Sequence, residues 1–65
     1  MNYKVIYADG SAIYEGKFKG LKIWKTLKGV KEYLQKYKHR QREGIILEIN
    51  NSTGEEKQLD LLSTI

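Results

Sequence analysis

The side chains with the greatest potential for chemistry in this 65-residue sequence are basic, and they are concentrated in the segment 17–42. That segment holds ten Lys or Arg residues and one acid, Glu32. Phe18 and Trp24 lie among its first lysines. Lysines can follow a phosphate backbone while aromatic rings stack on bases, so this composition favours nucleic-acid binding. The candidate binding residues are Lys17, Lys19, Lys22, Trp24, Lys25, Lys28, Lys36, Arg40 and Arg42.

Charge is unevenly distributed along the chain. Residues 1–42 carry eleven basic and three acidic side chains (+8), and residues 43–65 carry one basic and five acidic side chains (−4), which sum to the net +4. Such asymmetry points to a polyanionic partner. Ten of the twelve basic residues are Lys, which binds phosphate as a point charge without the planar fork of Arg. We therefore expect backbone contacts with little sequence preference.

The same residues also allow a purely structural interpretation. Phe18 and Trp24 could belong to the core, and an AT-rich genome produces lysine-rich chains without selection for binding. The basic residues of the expected helix spread over a broad arc, which is typical of a solvated surface rather than of a recognition helix. They are Lys25, Lys28, Lys36, His39 and Arg40.

Catalysis and metal binding have little support in the sequence. There is no cysteine, and His39 is the only histidine. The serines Ser11, Ser52 and Ser63 have no nucleophile-elbow motif around them, and no phosphate-binding glycine motif is present. We therefore expect a protein that is not an enzyme, with no metal site and no cofactor.

The first element is predicted to be a β-hairpin. Residues 2–8 alternate in polarity and then reach Asp9-Gly10, which is typical of a two-residue turn. That turn would pair Val5 with Tyr14 and Ile6 with Ile13. The core face would then carry Tyr3, Val5, Tyr7, Ala12 and Tyr14.

A second hairpin is predicted at the end of the sequence. Its strands are residues 44–49 and 57–62, joined by a three-residue loop 52–54 with Gly54 in the left-handed conformation. This register pairs Leu47 with Leu59 and Ile45 with Leu61. Ile46 and Glu48 then lie on the opposite face.

A helix is predicted between the hairpins. Leu27, Val30, Leu34 and Tyr37 recur at spacings of three and four, and Thr26 is the expected N-cap. The helix is expected to end after Arg42, before Gly44. Residues 16–25 could be either strand or loop.

These elements predict one α+β domain over residues 1–65, with the order ββαββ. Its two hairpins would form a four-stranded antiparallel sheet with one helix packed on one face. We expect a non-enzymatic module that contacts nucleic-acid backbone through residues 17–42. The alternative is a small protein–protein adaptor or inhibitor of the phage or mobile-element type, binding an acidic protein surface or a partner at the sheet. A homodimer is compatible with both, and the lack of a long apolar stretch predicts a cytoplasmic location without membrane contact.

Overall fold

The computed structural model describes residues 1–15 and 20–65. The fold is α+β, as predicted, with an antiparallel sheet of three strands in the order β1-β4-β5. In chain order, the elements are β1 (Asn2–Tyr7), β2 (Tyr14–Glu15), β3 (Gly20–Leu21), α1 (Leu27–Lys36), a 3-10 turn (Lys38–Arg40), β4 (Gly44–Ile49), β5 (Glu56–Asp60) and α2 (Leu61–Thr64).

The structure does not confirm the predicted four-stranded ββαββ sheet. Directly after the first turn, the chain is joined to β1 by a bridge between Ile6 and Ala12 and by a hydrogen bond from the Ile13 N–H to the Val5 carbonyl. It then leaves β1, and β2 pairs instead with β3 in a separate two-stranded ribbon. Further along, Trp24 returns to the same edge of β1 and bridges to Tyr3. Residues 20–24 therefore combine a short strand with extended chain.

The first turn is one residue longer than predicted. The Tyr7 N–H donates to the Ser11 carbonyl (2.7 Å), the Gly10 N–H donates to the Tyr7 carbonyl (3.0 Å), and Gly10 has φ of 90°. A three-residue turn ending in a left-handed glycine shifts the register by one, and such a shift moves each side chain to the other face. The prediction for Ile13 and Tyr14 was therefore wrong: Ile13 is buried, and Tyr14 is 56% exposed.

The second hairpin differs from its prediction in the same way. The Asn50 N–H donates to the Glu55 carbonyl, which encloses a loop of four residues, 51–54. Gly54 does adopt the predicted left-handed conformation (φ 77°). The register places Ile46 opposite Leu59 and Ile45 opposite Asp60, so Ile46 lies in the core and Ile45 does not. This reverses the predicted faces of β4.

Strand β5 also ends earlier than the predicted residue 62. Asp60 caps α2, because its Oδ2 accepts a hydrogen bond from the Ser63 N–H (3.0 Å). The chain turns at this cap, and Leu61 enters the core instead of continuing the strand. Asp60 itself stays at the surface, where the hydrogen bonds from Ser63 lower the pKa of its carboxyl group.

Helix α1 begins as predicted and ends six residues before the predicted end. Thr26 is the N-cap, and its Oγ1 accepts a hydrogen bond from the Gly29 N–H (3.1 Å). After Lys36, the backbone of Tyr37 leaves helical geometry (φ −108°, ψ 79°). The Gln41 amide donates to the Leu34 carbonyl (2.8 Å), which satisfies one of the helix's terminal acceptors.

The core lies between α1 and one face of the sheet. Its buried residues form a single cluster. Strands β1 and β4, helices α1 and α2, and the segments just before β2 and just before α1 all contribute to it. The members are Tyr3, Val5, Tyr7, Ile13, Trp24, Val30, Leu34, Ile46 and Leu61. Ile13 and Ile46 were predicted to lie outside this core, and both are fully buried in it.

The opposite side of the sheet, which we call the open face, has no described element packed on it. By strand alternation, it consists of Asn2, Lys4, Ile6, Ile45, Leu47, Ile49, Glu56, Gln58 and Asp60. Strand β5 is an edge strand, since no described strand pairs with its second side. No helix within the described ranges has the length and apolar character needed to cross a membrane.

Candidate nucleic-acid interface

Trp24 is held at the edge of the sheet by two backbone hydrogen bonds with Tyr3. The Tyr3 N–H donates to the Trp24 carbonyl (2.8 Å), and the Trp24 N–H donates to the Tyr3 carbonyl (2.9 Å). The indole is only 9% exposed. Trp24 is thus a core residue, and it lies two residues before the Thr26 N-cap of α1.

Gly29 allows the first turn of α1 to approach the indole. A Cβ at this position would lie 3.3 Å from Trp24 Cδ1 and 3.3 Å from Thr26 Oγ1. Such contacts are tighter than ordinary van der Waals packing, so glycine permits a spacing that a larger residue would widen. Gly29 is the third helical residue, where its N–H also serves the Thr26 cap.

A series of rings continues from Trp24 along one flank of α1. Tyr33 meets Trp24 edge-on, with ring centroids 5.2 Å apart. Tyr37 is four residues further along and lies 4.7 Å from Tyr33. His39, in the 3-10 turn, meets Tyr37 edge-on at 6.2 Å. Spacing of i and i+4 places Tyr33 and Tyr37 on the same side of the helix.

Two lysines lie over these rings. The Lys22 Nζ is 5.2 Å from the Trp24 centroid and 5.9 Å from the Tyr33 centroid. The Lys36 Nζ is 5.4 Å from the Tyr37 centroid. These distances fall within the range of cation–π attraction. We call the continuous surface of Lys22, Trp24, Tyr33, Lys36, Tyr37 and His39 the aromatic ridge.

The exposed side chains of the aromatic ridge lie at its C-terminal end. Tyr37 is 38% exposed, and Lys36 and His39 are also exposed. Tyr33 is half-buried. The ridge therefore runs from a buried indole to rings that a ligand can reach.

The other flank of α1 has a different character. Lys28 lies 3.9 Å from Glu32 in an exposed i,i+4 ion pair. Lys31 and Gln35 extend this flank, which contributes no ring to the contacts found among the described residues. An exposed pair of this kind stabilises a helix by about 0.3–0.5 kcal/mol, and Glu32 reduces the attraction of a phosphate to Lys28.

The two arginines make contacts within the fold. The Arg42 guanidinium carbon lies 4.0 Å from the Tyr7 ring centroid, and its nitrogens approach Asp9 Oδ2 (3.8 Å) and Ser11 Oγ (3.3 Å). The Arg40 carbonyl accepts a hydrogen bond from the Tyr7 hydroxyl (2.7 Å), and the Arg40 side chain is half-buried. Both arginines thus join the residues after the helix to the first turn.

Local hydrogen bonds also shift the pKa values of this region. Ser11 donates to Asp9 Oδ1 from its hydroxyl (2.6 Å) and its N–H (2.9 Å), and these bonds, together with the nearby Arg42, hold the pKa of Asp9 below its usual range. Burial raises the pKa of Tyr7, although Arg40 and Arg42 oppose the rise. Within residues 1–15 and 20–65, no group of three or more His, Asp or Glu side chains is placed to hold a metal ion.

The structure brings together some of the predicted site residues and separates others. Lys22, Trp24 and Lys36 meet on the aromatic ridge. Lys25 is exposed directly after Trp24, whereas Lys28 lies on the other flank of α1. The predictions for Lys17 and Lys19 lie outside the described residues.

Sequence reasoning did not include Tyr33, Tyr37 or His39 among the binding residues. The predicted apolar stripe of the helix included Tyr37, and His39 was expected on the solvated helix surface. The available signal was their spacing: Tyr33 follows Gly29 by four residues and precedes Tyr37 by four, which aligns the rings with the glycine that admits Trp24.

Similarity to known proteins does not assign a function to this surface. No protein-family model matches the chain, and no characterised protein and no solved structure matches it.

Proposed function

We propose that this protein is a non-enzymatic module that binds single-stranded nucleic acid along the aromatic ridge, mostly without sequence preference. The observation that carries the proposal is the unbroken ring series from Trp24 to His39 with Lys22 and Lys36 beside it. Rings that stack on bases, combined with cations that attract phosphates, are the two components of sequence-tolerant single-strand binding.

The rings of the aromatic ridge differ in exposure, and we assign them different roles accordingly. Tyr37 and His39 are accessible to unpaired bases, and the buried Trp24 supports Tyr33 from below. Stacking requires a base whose face is free, which a duplex does not offer. This favours single strands over duplexes as the ligand.

The charge around the ridge also favours a polyanion. Among the described residues, no carboxylate lies within 4.0 Å of the ammonium group of Lys25, Lys36 or Lys38. The acidic strand β5 lies at the edge of the sheet opposite the edge that holds Trp24. Phosphates at the ridge would therefore meet cations without crossing the acidic hairpin.

Binding of a fluorescein-labelled single-stranded oligonucleotide, followed by fluorescence anisotropy, tests the proposal. Tyr37→Ala should weaken binding about 5-fold to about 160-fold, because stacking contributes about 1–3 kcal/mol per base. The salt dependence of the wild-type affinity should be steep, and each phosphate contact that is removed should reduce its slope by about 0.7.

A matched pair of variants distinguishes binding at the aromatic ridge from general attraction of the ligand to positive charge. Lys36→Gln and Lys28→Gln remove the same charge from the same helix, but only Lys36 lies on the ring flank. We expect Lys36→Gln to weaken binding several-fold more than Lys28→Gln. Equal losses from the two variants, or no binding by the wild type at low salt, would contradict the proposal.

The second candidate function, a protein-binding adaptor or inhibitor, is favoured by a different surface. Strand β5 has an unpaired edge within the described fold, and the open face carries half-buried apolar side chains. If a protein ligand binds either of these surfaces, Tyr37→Ala and Lys36→Gln should change its affinity only slightly.

A further inference from the structure

The side chains of the open face are arranged regularly by charge and polarity. Its side chains form three rows across the sheet, each with an aliphatic residue of β4 in the middle. Lys4 lies on the β1 side, and the carboxylates lie on the β5 side. The rows are Asn2–Ile49–Glu56, Lys4–Leu47–Gln58 and Ile6–Ile45–Asp60.

The charges of the open face have no ion-pair partner within the part of the chain that the structure describes. There, no opposite charge lies within 4.0 Å of Lys4, Glu56 or Asp60. Lys4 and Glu56 are separated by two strand spacings and one row, or about 12 Å from ordinary sheet dimensions. The face thus presents one basic margin and one acidic margin on either side of an aliphatic stripe.

We propose that the open face binds the open face of a second copy of this chain, forming a two-fold symmetric dimer. A two-fold axis parallel to β4, midway between the sheets, stacks each β4 on its counterpart. Leu47 then packs against the second copy's Leu47, flanked by the two isoleucines of each strand. This inference does not depend on nucleic-acid binding, because the aromatic ridge lies on the helix side of the sheet.

Charge complementarity selects this arrangement. The axis parallel to β4 places each β1 over the other copy's β5, so Lys4 lies between the rows of the second copy's Glu56 and Asp60. An axis across the strands would instead stack β1 on β1 and bring the two Lys4 ammonium groups together. Opposite charges across sheets attract, and like charges directly opposed repel.

The size of the face predicts a weak dimer. Three strands span about 10 Å, and five residues of a strand span about 13 Å. Such a face buries less than the roughly 800 Å² per partner of a standard interface. We therefore expect monomer at about 10 μM and a substantial dimer fraction at about 1 mM, as measured by sedimentation velocity.

A charge-swap experiment tests the axis as well as the association. Lys4→Glu gives a protomer with only acidic margins, and Glu56→Lys gives one with a basic residue at each margin. Each variant alone should show an association constant about tenfold or more below that of the wild type. Circular dichroism confirms that both variants are folded.

An equimolar mixture of the two variants should regain association. In the mixed dimer, the acid introduced at position 4 of one protomer meets the lysine introduced at position 56 of the other. The two unchanged residues, Glu56 of the first protomer and Lys4 of the second, also face each other. Both contacts therefore join opposite charges, as they do in the wild-type dimer.

Two controls make the result decisive. Gln35→Glu places a new acid on the exposed helix flank and should leave the association constant unchanged. Leu47→Glu places two carboxylates on the axis and should remove the dimer. A wild-type protein that stays monomeric at about 1 mM would overturn the proposal. It would equally be overturned by variants that associate as the wild type does, or by a mixture that fails to associate although both variants are folded.

Discussion

The two faces of the sheet use the same strands in opposite ways. On the core face, Val5 and Ile46 are opposite each other and fully buried beneath α1. On the open face, Ile6 and Ile45 are also opposite each other but only half-buried. The difference shows that apolar content alone does not define the core in this chain. Alternation along β4 assigns each side chain to one face, and the helix covers only one of them.

The strongest test of this comparison removes one isoleucine from each face. Ile46→Ala should lower the free energy of unfolding by about 2–5 kcal/mol, because it leaves a cavity beneath the helix. Ile45→Ala should lower it by about 1 kcal/mol, since water already reaches that side chain. Urea unfolding at low protein concentration measures both. Equal losses would mean that the open face is covered in solution.

A smaller loss of stability is expected at Gly44, where the backbones of β1 and β4 come very close together. A Cβ at Gly44 would lie 2.5 Å from the Ile6 carbonyl oxygen and 2.7 Å from Tyr7 Cα, so β1 and β4 would have to separate. Gly44→Ala should therefore cost about 2–3 kcal/mol. Gly20→Ala is the matched control, because no described atom lies within 4 Å of its Cβ position. Thermal unfolding followed by circular dichroism should show only the first variant strongly destabilised.

The smallest predicted effect is the pH dependence of stability that arises from two tyrosines of the core face, Tyr3 and Tyr7. Burial raises the pKa values of Tyr3 and Tyr7 above the ordinary value of 10.0. The unfolded chain therefore releases these protons first. The stabilising contribution is complete below pH 10.0 and decreases as the pH rises through the folded-state pKa values.

Tyr7→Phe sharpens this pH test. At neutral pH the variant should lose about 1 kcal/mol, because the hydroxyl no longer donates to the Arg40 carbonyl. Above pH 10.0 its stability should fall less steeply than that of the wild type. Urea unfolding at several alkaline pH values provides the comparison. An unchanged slope would contradict the role assigned to Tyr7.

Much of the fold could be predicted from local signals. Thr26 was identified as a helix cap from its position before an apolar stripe, and Gly54 as a left-handed turn residue. The registers could not be predicted in the same way. Both hairpin loops are one residue longer than expected. The additional residue exchanges the predicted faces of the chain after the first loop and of β4, the strand before the second loop. The run Ile45-Ile46-Leu47 is apolar at every position, so the sequence offered no internal correction.

The candidate site was predictable in charge but not in shape. The basic segment is the basis of the predicted polyanion site, and Trp24 was included among the candidate residues. The path of the rings depends on where Tyr37 leaves the helix, and that point is fixed by tertiary contacts. The Gln41 amide caps the Leu34 carbonyl, and the Tyr7 hydroxyl donates to the Arg40 carbonyl. Neither contact has a signal in local sequence periodicity.

The charged residues of β5 have a consequence for aggregation. Its outer edge, with which no described strand pairs, could template a growing sheet, the route by which many proteins form fibrils. Antiparallel pairing of two such edges, centred on Gln58, would bring each Glu56 against the neighbour's Asp60. Centring on Lys57 would bring two lysines together. Fibril growth through this edge is therefore opposed by like charges in both registers, and the hydrogen-bonding groups of the edge can remain exposed to water without recruiting further copies.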